Sequence, residues 1–161
     1  MRFPIRKMMT ALGVVLAVGV VTAAVAAQGG RSVIQRLNPA GLSAPTGYSH
    51  VVSARGGRTI YVAGQVALDA KGELVGPGDL AAQTRQVFAN LDIALKAAGA
   101  SFADVVKVNY YIRDASQVQV IRDIRAQYVG KELPASTLVE VSRLARPEFL
   151  IEIEAVAVVA E

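Results

Sequence analysis

Two short stretches hold the residues with the most chemical potential. In "LPASTLVEVSRL" (133–144) the hydroxyls of Ser136 and Thr137 follow a proline and open an apolar run. In "FLIEIEAVAVV" (149–159) two carboxylates, Glu152 and Glu154, interrupt a run that is otherwise apolar. A hydroxyl becomes a useful nucleophile only beside a base. The sole histidine is His50 and there is no cysteine. A serine–histidine pair is therefore a poor reading, although one histidine can still act as a base. Thiolate catalysis, disulfides and thiolate metal sites are excluded. The carboxylates stand differently: a charge on an apolar strand is costly to remove from water, so pairing or function must justify it.

The elements that must position these groups read clearly in places. "YSHVVSARGGRTIYVAGQVAL" predicts a hairpin, with Val51 and Val52 on one arm, Ile60 to Val62 on the other, and Gly56-Gly57 at the turn. Asp79 is a suitable N-cap for a helix through "LAAQTRQVFANLDIALKAAG", in which Val87, Leu91, Ala94, Leu95 and Ala98 form one apolar face and Gly99 lies just past the end. Residues 105–113 alternate as a strand. Val118, Ile121, Ile124, Arg125 and Tyr128 predict a second amphipathic helix ended by Gly130. Leu138 to Val141 and then Phe149 to Val159 complete the order strand, strand, helix, strand, helix, strand, strand. Two helices can cover only one face of such a sheet. In the last strand Phe149, Ile151, Ile153, Ala155 and Ala157 share one side, and Leu150, Glu152, Glu154, Val156 and Val158 the other. Apart from the glutamates both sides are apolar, so the second face is expected to be covered by other subunits.

The 161 residues suffice for one domain with a true core. Of 17 basic residues, Arg2, Arg6 and Lys7 lie in the first ten positions, and no acidic residue precedes Asp69. From residue 28 onward 14 basic residues face 13 acidic ones, a balance that gives no general attraction for nucleic acid. Residues 1–27 combine a basic start, an apolar run from Met8 to Ala27 and a small-residue ending at Ala24 to Ala27. That pattern predicts a cleaved export signal and a periplasmic or secreted protein with no membrane contact after cleavage. The alternative is an uncleaved N-terminal anchor. Residues 28–40 read as a polar lead-in and 41–161 as the folded domain.

The runs "GYSH", "GGRTIYVAGQV", "NLDIALKAAGAS", "DVVKVNYYIRD" and "PASTLVEVSRL…FLIEIEAVAVV" together resemble the Rid family, also called YjgF or L-PSP proteins, from about Asn38 to Ala160. The resemblance implies an α+β, chorismate-mutase-like fold, a homotrimer built as a central barrel, and clefts between subunits. It also implies hydrolysis of reactive enamines and imines to keto acids and ammonia, in the manner of a 2-iminobutanoate/2-iminopropanoate deaminase, without metal or organic cofactor. In the deaminating motif Pro-Ala-Arg-Ser the arginine holds a substrate carboxylate. Here Pro134 and Ala135 match, but Ser136 occupies the arginine position, with Thr137 beside it at the implied cleft lip. A serine offers one neutral donor in place of a charged fork, so an altered substrate range is expected. The resemblance places the water-positioning glutamate at Glu154, a ligand-covering tyrosine at Tyr48, and at Gly64 a glycine whose backbone lies against ligand and water. Many members have serine where this chain has Ala63. Arg122 stands near a position often occupied by asparagine and receives no role. Arg143 and Arg146 read as exposed loop arginines, Glu152 as facing a polar partner or neighbouring chain, and Glu140 as structural. The competing functional readings are a non-catalytic trimer that binds a small acid or amine and an endoribonuclease. The charge balance disfavours the latter, and no nucleic-acid partner is expected.

Overall fold

The computed structural model describes residues 33–160. The segment read as an export signal, 1–27, lies outside the described residues. Strands β1 (Val33–Leu37), β2 (Val51–Arg55) and β3 (Arg58–Gln65) precede helix α1 (Leu80–Ala97), followed by β4 (Val105–Ile112), α2 (Val118–Arg125), β5 (Ala135–Glu140) and β6 (Ile151–Val159). Two helices pack on one face of a four-stranded mixed sheet of order β3-β6-β4-β5. β6 is antiparallel to both neighbours, and β5 runs parallel to β4 because the chain returns through α2.

Helix α1 forms where its cap and spacing require. Asp79 is extended and accepts a hydrogen bond from the Ala82 amide at 3.0 Å, which satisfies one free N–H of the first turn. Leu80, Gln83, Val87, Phe88, Leu91 and Leu95 are buried at intervals of three and four. Beyond the C-terminus Gly99 takes φ +72°, a conformation that side chains resist. The rings of Phe88, Phe102 and Tyr128 lie 5.1–5.9 Å apart and join α1 to the segments before β4 and after α2. The fully buried Gln83 donates to the carbonyls of Gly76 and Glu148 and accepts from the Leu150 amide. It thereby pins the entry to β6 against α1.

Two expectations fail. Gly56 and Gly57 do turn the chain, at φ +70° and +80°, but the flanking strands do not pair with each other. β3 pairs with β6, while β2 pairs with β1 in a separate two-stranded ribbon. β3 carries Ile60 and Val62 into the core, whereas β2 is mostly exposed and gains nothing by joining that sheet. β1 itself falls inside the supposed lead-in, where the mixed polarity of "VIQRL" hides its strand character. Arg36 ties it down, donating to Glu132 at 3.3 Å and to the Ala103 carbonyl at 3.2 Å.

The two-sided reading of β6 matches the structure. Ile151, Ile153, Ala155 and Ala157 are buried beneath the helices. The other side presents Glu152, Glu154 and Val156 on the uncovered face, beside Lys107, Asn109 and Tyr111 of β4 and the highly exposed Tyr61 of β3, while Val158 is buried.

Candidate functional site

The predicted site residues fall on both sides of the sheet. Side chains alternate along a strand, so Ser136 and Leu138 of β5 point toward α2 while Thr137 and Val139 point away. Ser136 lines a cavity of about 180 Å³ between α2 and the β4–β5 edge, together with Tyr48, Tyr110, Arg122 and Arg125. Thr137 is on the uncovered face, where its hydroxyl accepts from Lys107 Nζ at 2.6 Å. The two hydroxyls therefore do not share a pocket within one chain, and Thr137 lies on the open surface of the sheet.

Tyr48 reaches the cavity because the chain before β2 is stitched to β5. The Ser49 amide donates to the Pro134 carbonyl at 2.9 Å, and its hydroxyl donates to the Leu133 carbonyl at 2.7 Å. Arg125 crosses beneath this segment and donates from Nη1 to the Gly47 carbonyl at 2.5 Å. Gly47 has φ +88°, and a Cβ there would lie 2.7 Å from Arg125 Nη2, so both backbone conformation and space require glycine. Burial pushes the Tyr110 hydroxyl up to about 12 against the opposing pull of the Arg125 charge, so it remains a neutral donor. His50 lies outside this cavity. Its Nε2 contacts the Ser43 carbonyl at 2.8 Å, and its ring meets that of Tyr48 edge-on. No arrangement of His50 with Ser136 as base and nucleophile is present.

Across the sheet Glu154 is committed to neighbours. Its Oε1 accepts from Asn109 Nδ2 at 2.7 Å and from the Tyr111 hydroxyl at 3.0 Å. Those two bonds, Asn109 first, and the Lys107 charge hold its carboxyl below the ordinary range despite partial desolvation. The bond to Glu154 correspondingly raises the Tyr111 hydroxyl. Desolvation lowers Lys107, with Glu154 opposing. Lys107, Asn109 and Glu154 line a separate hollow with Tyr61 and Ala63.

Gly64 meets the other glutamate. A Cβ on Gly64 would collide with the Glu152 carboxylate, so the absence of a side chain is what lets that carboxylate lie against β3. The β3–β6 pairing skips Ala63 and Gly64, an irregularity between Val62 and Gln65 of the kind enriched beside functional sites. Among the described residues no side chain donates a hydrogen bond to Glu152. Of the two glutamates, Glu152 and not Glu154 lies against Gly64. Within one chain Tyr48 and Ser136 line one surface, Gly64 and Glu152 another. Sequence reading missed Glu152 because two alternating glutamates look equivalent until β3 is laid beside them. It read Arg125, with Arg122 and Asp123, as part of a solvated helix face, although a guanidinium in step with Ile121 and Ile124 was already a signal.

Two helices laid on one side of a mixed sheet is the architecture shared by solved Rid-family proteins. A Rid-family protein of Yersinia pestis superposes with a TM-score of 0.73 at 44% identity, covering 78% of this chain and 98% of that one. The family model described as Endoribonuclease L-PSP matches residues 39–159. The chain belongs to this family. A RutC family protein of Pyrococcus horikoshii is 44% identical over 68% of this chain and 85% of its own length. A 2-iminobutanoate/2-iminopropanoate deaminase of Bos taurus is 38% identical over 63% and 73%.

The comparisons also correct the expected location. The archaeal relatives are RutC family proteins, and on that finding the reading of this chain as an exported protein is withdrawn.

Proposed function

We propose that this protein hydrolyses small imines and enamines, releasing ammonia, at clefts formed between subunits of a homotrimer. The single observation that carries the reading is the Glu152 carboxylate lying against Gly64 where the strand pairing is interrupted, without a side-chain donor of its own. Such a carboxylate can orient a water and accept its proton as the oxygen attacks the imine carbon. The C=N electron pair moves to nitrogen, which is protonated. Collapse of the resulting carbinolamine expels ammonia and leaves a carbonyl compound. The step needs only water and a proton shuttle. The relatives named as imine deaminases support the reaction class.

Assembly supplies the missing half of the site. In one chain the sheet separates Tyr48 and Ser136 from Gly64 and Glu152. A neighbouring copy laid against the uncovered face would bring its own set opposite. That face carries Tyr61 at 80% exposure and Val139 at 39%, together with the half-buried Val156. Covering it removes apolar area worth roughly 25 cal/mol per Å².

The second reading is a trimeric binder of small acids or amines without turnover. Serine at 136 and alanine at 63 favour it, since each removes a polar contact that deaminating relatives are inferred to use. The deciding experiment is ammonia release from imines generated in place by an amino-acid oxidase. Wild-type protein should accelerate release, Glu152→Gln should abolish it, and Glu154→Gln should leave most of it. Saturable ligand binding with no acceleration on any imine would establish the binder.

A further inference from the structure

We propose that Arg125, assisted by Arg122, supplies from α2 the carboxylate-binding charge that β5 lacks at Ser136, making the α2–β5 cavity a seat for small 2-imino acid anions. The cavity holds two guanidinium groups one helical turn apart and no acidic side chain. Among the described residues the ion pairs are Arg36–Glu132, Lys96–Asp92 and Arg146–Glu148, so neither arginine is neutralised by a carboxylate. Of the five N–H groups on the Arg125 guanidinium, one is used by the Gly47 carbonyl, the Tyr110 hydroxyl also meets the group, and the buried Nε has no partner. An orphaned charged donor beside a cavity is costly unless an acceptor arrives. The other lining groups complement an anion: Ser136 and Tyr110 offer hydroxyl donors, and Tyr48 offers an aromatic wall with a hydroxyl.

Size agrees with charge. At about 30 Å³ per water, 180 Å³ accommodates roughly six non-hydrogen atoms, the size of the smallest 2-imino acids. The two arginines that sequence alone offered as substitutes are placed elsewhere. Arg146 lies 3.8 Å from Glu148 and stacks over the Phe149 ring, and Arg143 is exposed outside the cavity lining. Moving the guanidinium from strand to helix retains the charge but changes its direction of approach. The carboxylate should therefore sit deeper, between α2 and β5, and short side chains should be preferred over long ones.

This inference rests on the hydrolase reading for the choice of ligand, but its test is a binding measurement. 2-Oxobutanoate, a stable stand-in for the imino acid, is titrated into the intact assembly and followed calorimetrically. Wild type should bind it saturably. Arg125→Met should weaken binding at least tenfold, and Arg125→Lys, which keeps the charge without the fork, should weaken it less. The double change Arg125→Met with Ser136→Arg should restore binding, because it returns the charge to the strand. A clamp that merely holds Gly47 would not be rescued in this way. Circular dichroism and elution volume identify any variant that fails to fold, in which case the lysine variant carries the comparison. Unchanged affinity in a folded Arg125→Met protein, or no binding by wild type, overturns the proposal. Arg125-dependent binding without ammonia release upholds the anion site and removes the hydrolase reading instead.

Discussion

Substituting Gly64 by alanine should separate catalysis from stability. The backbone at Gly64 does not need glycine: its φ lies outside the left-handed region, and the residue is exposed. What the new methyl group meets first is the Glu152 carboxylate, the far end of a flexible side chain. Glu152 can swing aside toward the uncovered face at little cost, so the native state loses less than about 1 kcal/mol. The lower entropy of alanine in the unfolded chain offsets part of that by roughly 0.4–1 kcal/mol. For a domain of this size the midpoint of thermal unfolding should move by no more than about 4 °C. Turnover should respond far more strongly. The carboxylate must shift on the order of an ångström, and a misplacement of that size costs about 10²-fold in rate. Ammonia release under saturating imine, coupled to reductive amination and read as loss of nicotinamide absorbance, gives kcat directly. Unfolding is followed on the same preparation. A Gly64→Ala protein with wild-type kcat would refute the role of the Glu152 carboxylate, as packed on Gly64, in orienting the attacking water. A drop in kcat accompanied by a collapse of the melting temperature would refute the claim that the glycine serves the site and not the fold.

Further expectations concern the carboxylate network, the core and the assembly. Glu154 has a folded pKa held below its unfolded value of 4.5, so its contribution to stability is complete above that value and is lost as pH falls through the lowered one. Denaturant titrations at stepped pH should therefore show a smaller acid-side loss for Glu154→Gln than for wild type. Gln83→Leu would orphan the Glu148 carbonyl and the Leu150 amide at the start of β6, at about 1–3 kcal/mol each, partly offset by the apolar replacement, while the Gly76 carbonyl keeps the Asp79 amide. Urea unfolding should register a net loss of about 2–4 kcal/mol. Tyr61→Glu places a charge at the proposed subunit contact and should produce monomers without ammonia-releasing activity in sedimentation velocity runs. A wild-type protein that sediments as a monomer at micromolar concentration would defeat the shared-cleft reading.

Several features were legible in the chain because their causes are local or periodic. The cap at Asp79, the apolar spacing of α1 and the reversal at Gly56-Gly57 depend on residues within a turn or two of each other. The alternation in β6 announced a strand with two distinct sides, and the paired helices cover one of them. The family motifs carried the rest of the fold class. The same alternation already implied that Ser136 and Thr137 face opposite ways, and it was not applied there.

Tertiary structure decided the pairings that connect distant residues. Whether β3 joins β2 or β6 depends on which edge offers buried area, and that information resides in residues almost a hundred positions away. The same holds for the choice between two chemically identical glutamates. Glu154 is set by Asn109 and Tyr111, and Glu152 by the bare backbone of Gly64. Arg125 reads in sequence as one more residue on a helix face, and it becomes a candidate anion anchor only because β5 and the Tyr48 segment close around it. Sequence determines side-chain chemistry and local periodicity. The charge a group feels, and the partner it meets, are set by the distances that folding creates.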